Sequence, residues 1–147
     1  MLNGIDPRFT PELLYCLARM GHGDELVIAD ANFPCDATAA HTFFDQTIRL
    51  TAQNAPQAIE LVTQLLPLDA YFDHAALRME IDGAPEDMGE VHTEAWELLT
   101  PRLPDGAKLG HIERQDFYAR ARHAFAVVQT AESRPFGCFI LRKGVIF

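Results

Sequence analysis

Short apolar runs alternate with stretches of helical periodicity along the whole chain, and no other feature of the sequence restricts the fold as much. Thr10 and Pro11 mark a helix start, as N-cap and first helical residue, and Leu13, Leu14, Leu17 and Met20 follow at helical spacing until Gly21 or Gly23 stops them. Glu25 to Asp30 is too short for a helix and carries adjacent Val27 and Ile28, so it is expected as a buried strand with Asp30 at its carboxyl end. Thr47 to Leu50 reads as a second short strand. Pro56 opens a helix whose inward face is Ile59, Leu61, Val62, Leu65 and Leu66, and Pro67 ends it. Leu77 to Ile81 alternates as a strand does and runs into an Asp82-Gly83 turn. Beyond it the pattern gives a helix from Glu90 to Leu99, a strand from Lys108 to Ile112 and a short basic helix from Arg114 to Arg122. Phe125 to Thr130 and Phe139 to Leu141 are the last strands, and residues 31–46 are expected to be irregular.

Strands separated by helices imply crossover connections. The expected architecture is therefore an α/β domain of three layers, a largely parallel sheet flanked by helices. The 147 residues suffice for one core and contain neither a linker nor an internal repeat, so a single domain is expected over 1–147. Twelve Lys and Arg against 21 Asp and Glu leave a net charge of −9. Such a surface repels phosphate backbones and anionic lipid, so neither nucleic acid nor a membrane is an expected partner. Cys16, Cys35 and Cys138 are an odd number at wide spacing, which fits neither a disulfide framework nor a zinc ribbon. With no signal-like start after Met1, the expected location is the cytoplasm.

The densest chemical signal is Met20-Gly21-His22-Gly23-Asp24-Glu25, followed closely by Asp30-Ala31-Asn32-Phe33-Pro34. Glycines on both sides leave His22 unshielded and permit a tight turn that presents its imidazole. Imidazole titrates near neutrality and suits acid/base work, while Asp30 at a strand end is where α/β folds put ligand contacts. The same residues also fit a solvent-exposed turn with Asp30 capping the next segment. His41 with Asp45, and His74 near Asp69 and Asp73, lack the spacing of a metal motif, so no metal is expected. Ser133 is the only serine and has no nucleophile-elbow context. Cys138 in an apolar strand is expected as a buried, inert thiol. Arg114 and Tyr118, four apart on the basic helix, project from one face and can bind a polyol together.

Taken together, PELLYCLARMGHGDE from Pro11 to Glu25, ADANFP from Ala29 to Pro34, LLPLDAY from Leu65 to Tyr71 and IERQDFYARAR from Ile112 to Arg122 resemble the ribose pyranase / L-fucose mutarotase family. AFAVV from Ala124 to Val128 and FILRKGV from Phe139 to Val145 are similar too, and the fucose branch is the nearer match. The resemblance implies an α/β fold, a ring-shaped homodecamer, and interconversion of monosaccharide anomers or ring forms without a cofactor. It further implies His22 as catalytic acid/base and Asp30, Asp69, Arg114 and Tyr118 in the sugar site, where Tyr118 is expected as the proton partner of His22. Proton transfers at the anomeric hydroxyl and the ring oxygen are sufficient for that chemistry, and charged side chains can fix the hydroxyls of a neutral sugar.

Two stretches depart from the family pattern. Phe136-Gly137-Cys138 stands where the family usually has Tyr-Gly-Asn, and Leu50-Thr51-Ala52-Gln53 replaces an expected Ala-Asp-Gly. Phe136 and Cys138 are still expected beside the sugar, with Phe136 offering an apolar face but no transferable proton. The alternative function is a sugar-binding decamer whose turnover is weak or lost. A metal-dependent hydrolase using His22, Asp30 and His41 is the weakest reading. The apolar ending Val145-Ile146-Phe147 is expected to tuck into the fold or an interface.

Overall fold

A computed structural model describes all 147 residues. The first helix, α1 (Pro11–Arg19), begins where the N-cap signal puts it, with the Thr10 side chain accepting a hydrogen bond from the Leu13 N–H. Leu13, Cys16 and Leu17 form its buried stripe. Its carboxyl end is closed by Lys143, whose ammonium donates to the carbonyls of Leu17 and Met20 and complements the helix dipole. β1 (Glu25–Ala29) follows and is buried from its second residue onward.

Residues 31–46 are not wholly irregular: α2 (Cys35–Ala39) lies within them. Five residues make little more than one turn, too short to print a helical period on the sequence. After β2 (Thr47–Leu50) comes α3 (Ala55–Val62), begun by a capping box in which Asn54 and Gln57 exchange side-chain to backbone hydrogen bonds. α3 stops at Val62 rather than running to Pro67, and Leu65, expected to face inward, is 39% exposed. Pro67 disfavours helical geometry in the residue before it, so the approach to it is made by tight turns.

The remaining elements are β3 (Ala76–Met79), α4 (Glu90–Leu99), β4 (Leu109–Ile112), α5 (Arg114–Ala121), β5 (Ala126–Thr130) and β6 (Phe139–Arg142). They complete one six-stranded sheet in the order β2-β5-β1-β6-β3-β4. β1 to β5 share one direction, and only β6, wedged between β1 and β3, runs against them. No helix separates β5 from β6, so the chain turns back across the end of β1 instead of crossing over.

Helices cover both faces. One core gathers α1, α3 and α4 against Leu26, Ile28, Ile48 and Val128. The other sets α2 and α5 against Val27, Ala29, Leu77 and Ile140. The strands alternate sides as their period of two requires, and three layers result. Of the two places expected for the C-terminus, its own fold is not the one: Ile146 is 82% exposed and Phe147 fully exposed. Its last anchor is the Gly144 N–H, which donates to the Pro67 carbonyl.

Candidate functional site

Parallel strands deliver their carboxyl ends to one edge of the sheet, and that edge holds a cavity of about 200 Å³ lined by Asp30, Met79, Arg114, Tyr118, Phe136 and Cys138. Each lining residue has a local reason to be there. Asp30 is the first residue after β1, and its Oδ1 accepts from the Asn32 and Phe33 N–H groups, folding the chain back over the strand end. That turn presses Phe33 against the rings of Phe117 and Tyr118, at 5.9 and 5.3 Å between centroids, and so seats α5. Arg114 opens α5 with its guanidinium 5.8 Å from the centre of the Tyr118 ring, as the four-residue spacing predicts. Asp82 grips Arg114 through both carboxylate oxygens, each 3.0 Å from Nε, and raises its pKa above the usual arginine value.

Phe136 and Cys138 arrive from the opposite direction, on the turn that feeds the antiparallel β6. Pairing of Phe139 with Ile28 sets Cys138 beside Asp30, whose N–H donates to Cys138 Sγ at 3.3 Å. Burial, and secondarily the Asp30 charge, push the Cys138 thiol well above its usual pKa, so it is a neutral spacer at the cavity wall.

His22 and Asp69 are at the other edge. The turn after α1 is closed by Asp24, whose Oδ2 accepts from the Gly21 N–H at 2.7 Å, while the Gly23 N–H donates to the Lys143 carbonyl. Gly23 has φ +87°, a conformation that favours glycine, and a Cβ there would press on the Phe72 ring at 3.1 Å. His22 Nε2 lies 2.8 Å from Oδ1 of Asp69. The imidazole is flanked edge-on by Tyr71 and Phe72, at 5.7 and 5.5 Å between centroids. Oδ2 of Asp69 accepts from the N–H groups of Tyr71 and Phe72. Burial opposes ionisation of Asp69, but those two N–H groups and His22 outweigh it and hold the carboxyl below its usual range. Nε2 therefore faces a carboxylate as donor, so that Nδ1 is the nitrogen free to exchange a proton with a ligand.

A single chain thus brings together five of the sequence-selected residues, Asp30, Arg114, Tyr118, Phe136 and Cys138. It pairs the other two, His22 and Asp69, elsewhere. Between the two groups lies β1, whose five residues span roughly 15 Å. The histidine and carboxylate pairs weighed as metal ligands do not gather into any group of three or more.

Sequence reasoning did not find what holds the Phe136 turn. His92, fully buried on α4, accepts from the Gly89 N–H through Nδ1 and meets the Phe136 carbonyl with Nε2 at 2.8 Å. That bond faces a residue at φ +59°, a left-handed conformation that costs a non-glycine residue roughly 1–2 kcal/mol. The buried Glu132 braces the same loop by accepting from Arg134 and from the Ala55 N–H. The only sequence signal for His92 was its place among apolar residues at helical spacing.

Over 148 residues the chain is 44% identical to the human fucose mutarotase, a match that covers 99% of this chain and 94% of that protein. An L-fucose mutarotase of Haemophilus influenzae is 40% identical over 146 residues, covering 99% of this chain and 97% of its own. Among solved structures, the fucose mutarotase of Streptococcus pneumoniae in complex with L-fucose superposes with a TM-score of 0.86 at 33% identity, over 99% of this chain and all of that one. Residues 3–146 match the RbsD / FucU transport protein family from one end of the sheet to the other, and the chain belongs to that family.

Proposed function

We propose that this protein is a cofactor-independent monosaccharide mutarotase acting on L-fucose or a closely related aldose. The observation that carries the reading is the His22–Asp69 pair, an imidazole oriented by a carboxylate, in a chain similar along its whole length to fucose mutarotases. Nδ1 takes the proton of the anomeric hydroxyl as the bond from the anomeric carbon to the ring oxygen breaks, and the ring oxygen gains a proton. The open aldehyde rotates, the ring oxygen attacks the other face of the carbonyl, and the protons return. Tyr118 is the second proton carrier in this reading. Asp30 and Arg114 hold the sugar hydroxyls by charge-assisted hydrogen bonds, and Phe136 lies against an apolar face of the ring.

His22 and the cavity residues stand at opposite edges of the sheet, so a sugar touched by both sits between two copies. The amino edge of one chain then faces the carboxyl edge of the next. Such a head-to-tail contact forms a ring when its rotation closes, which supports a ring-shaped homo-oligomer; the number ten rests on the resemblance alone. The exposed Ile146 and Phe147, at the same edge as His22, are suited to that contact. Three buried, unpaired thiols support a reducing compartment, the cytoplasm.

The test is exchange NMR between the α and β anomers of L-fucose. The protein is expected to raise the exchange rate above that of buffer, and His22→Ala to abolish the gain. No acceleration for fucose, ribose, galactose or rhamnose would overturn the reading. A second reading, binding without turnover, is favoured by one feature: Phe136 and the neutral Cys138 offer neither a phenol nor an amide to the cavity. Calorimetric binding of fucose with an unchanged exchange rate would select it.

A further inference from the structure

A cavity of about 870 Å³ lies beside the first residues of β1, separate from the smaller pocket that holds Asp30. Its walls concentrate positive charge on an otherwise acidic protein. Four of the twelve basic side chains line it, Arg19, Arg120, Arg122 and Arg142, joined by His41 and His123. Only Asp24 and Glu25 oppose them, so with both histidines neutral the lining carries a surplus of two positive charges.

The carboxylates are already engaged. Glu25 accepts hydrogen bonds from both Arg120 and Arg142, and Asp24 closes the turn at Gly21. Arg19 and Arg122 form no ion pair, and Arg142 Nε is buried without a hydrogen-bond partner. Arg19 is instead held between aromatic faces, its guanidinium 5.1 Å from the ring centre of Tyr15 and 5.2 Å from that of Phe43. The Phe43 ring stacks at 5.0 Å on that of Phe125, and these two supply the apolar wall.

We infer that this cavity is a binding site for a small phosphomonoester, its doubly charged phosphoryl group on the arginines and its organic part against Phe43 and Phe125. A phosphomonoester carries close to two negative charges at neutral pH and so matches the surplus. Guanidinium forks suit phosphoryl oxygens, which they can meet in pairs of hydrogen bonds. The cavity is far larger than inorganic phosphate needs and within the range of organic ligand sites. Neither Arg19 nor Arg122 takes part in the proposed sugar chemistry, but the cavity lies on the amino edge that the proposed ring turns toward its neighbour, so the site requires that contact to leave it open.

Titration of phenyl phosphate into the intact protein, in whatever assembly it forms in solution, is followed by 31P NMR beside parallel titrations with phenol and inorganic phosphate. Phenyl phosphate is expected to bind more tightly than either, and more weakly as sodium chloride is raised. The Arg19→Gln/Arg122→Gln double substitution is expected to weaken it by about tenfold or more, since both lost charges are unpaired. Both side chains are exposed, and an unchanged circular dichroism melt checks that the fold survives. Absence of binding, as when a second copy covers the cavity, would overturn the assignment. So would an affinity untouched by the double substitution, or inorganic phosphate binding as tightly as the ester.

Discussion

At His22 the decisive atom belongs to its partner. Asp69 has no exposed side-chain surface, yet it is held ionised by two backbone N–H groups and the imidazole, so it can orient His22 without competing for its proton. Asp69→Asn preserves the shape but can turn its amide donor toward Nε2, which would select the other tautomer and leave Nδ1 protonated. The expected outcome is a large loss of anomer exchange with fucose binding retained, read by exchange NMR and calorimetry. The pH dependence follows from linkage. A carboxyl whose folded pKa is depressed contributes stability that is fully present above its unfolded value, here 3.8, and lost as the pH falls through the folded value. The melting-temperature gap between wild type and Asp69→Asn is thus expected to shrink as the pH falls below about 4. A gap that widened below that pH would contradict the assignment.

Elements set how closely these residues can be placed, and the clearest case is the strap from α4 to the turn before β6. His92 has both ring nitrogens engaged inside the protein, and burial lowers its pKa from 6.5 despite its bond to the Phe136 carbonyl. His92→Leu leaves the Gly89 N–H and the Phe136 carbonyl without their partner and is expected to cost about 2 kcal/mol in urea unfolding. Since the unfolded chain protonates first, wild type should lose stability as pH falls below 6.5, and the variant should lack that component. A raised KM for exchange with a smaller change in kcat would mark His92 as positioning Phe136 rather than merely filling space. Such a strap is invisible in sequence, where a histidine among apolar residues of a helix reads as any core residue. The strands and long helices were legible because burial on one or two faces stamps a period on them, and Asp30 was legible because it follows a strand. α2 is too short to carry a period, and the antiparallel entry of β6 depends on pairing partners that lie far apart in the chain. The separation of His22 from Asp30 could have been read from one short strand lying between them.

For the whole molecule the net charge of −9 gives no steering to a neutral sugar, so the acidic surface bears on the proposed contact between copies rather than on how substrate arrives. In the proposed ring the amino edge of one copy, with His22, faces the carboxyl edge of the next, with Asp30. This geometry makes a quantitative prediction. His22→Ala and Asp30→Asn each disable every site when present alone. In a co-expressed mixture of equal amounts, a site built from His22 of one copy and Asp30 of the next is intact whenever the first copy carries Asp30→Asn and the second carries His22→Ala. Random assembly produces that arrangement at about a quarter of the sites, so about a quarter of wild-type exchange activity per site should return. If instead both residues served one sugar within one chain, no mixed assembly would contain an intact site and the activity would stay at zero. Mixing the two purified variants without dissociating them is the control, because rings that do not exchange subunits remain inactive in either case.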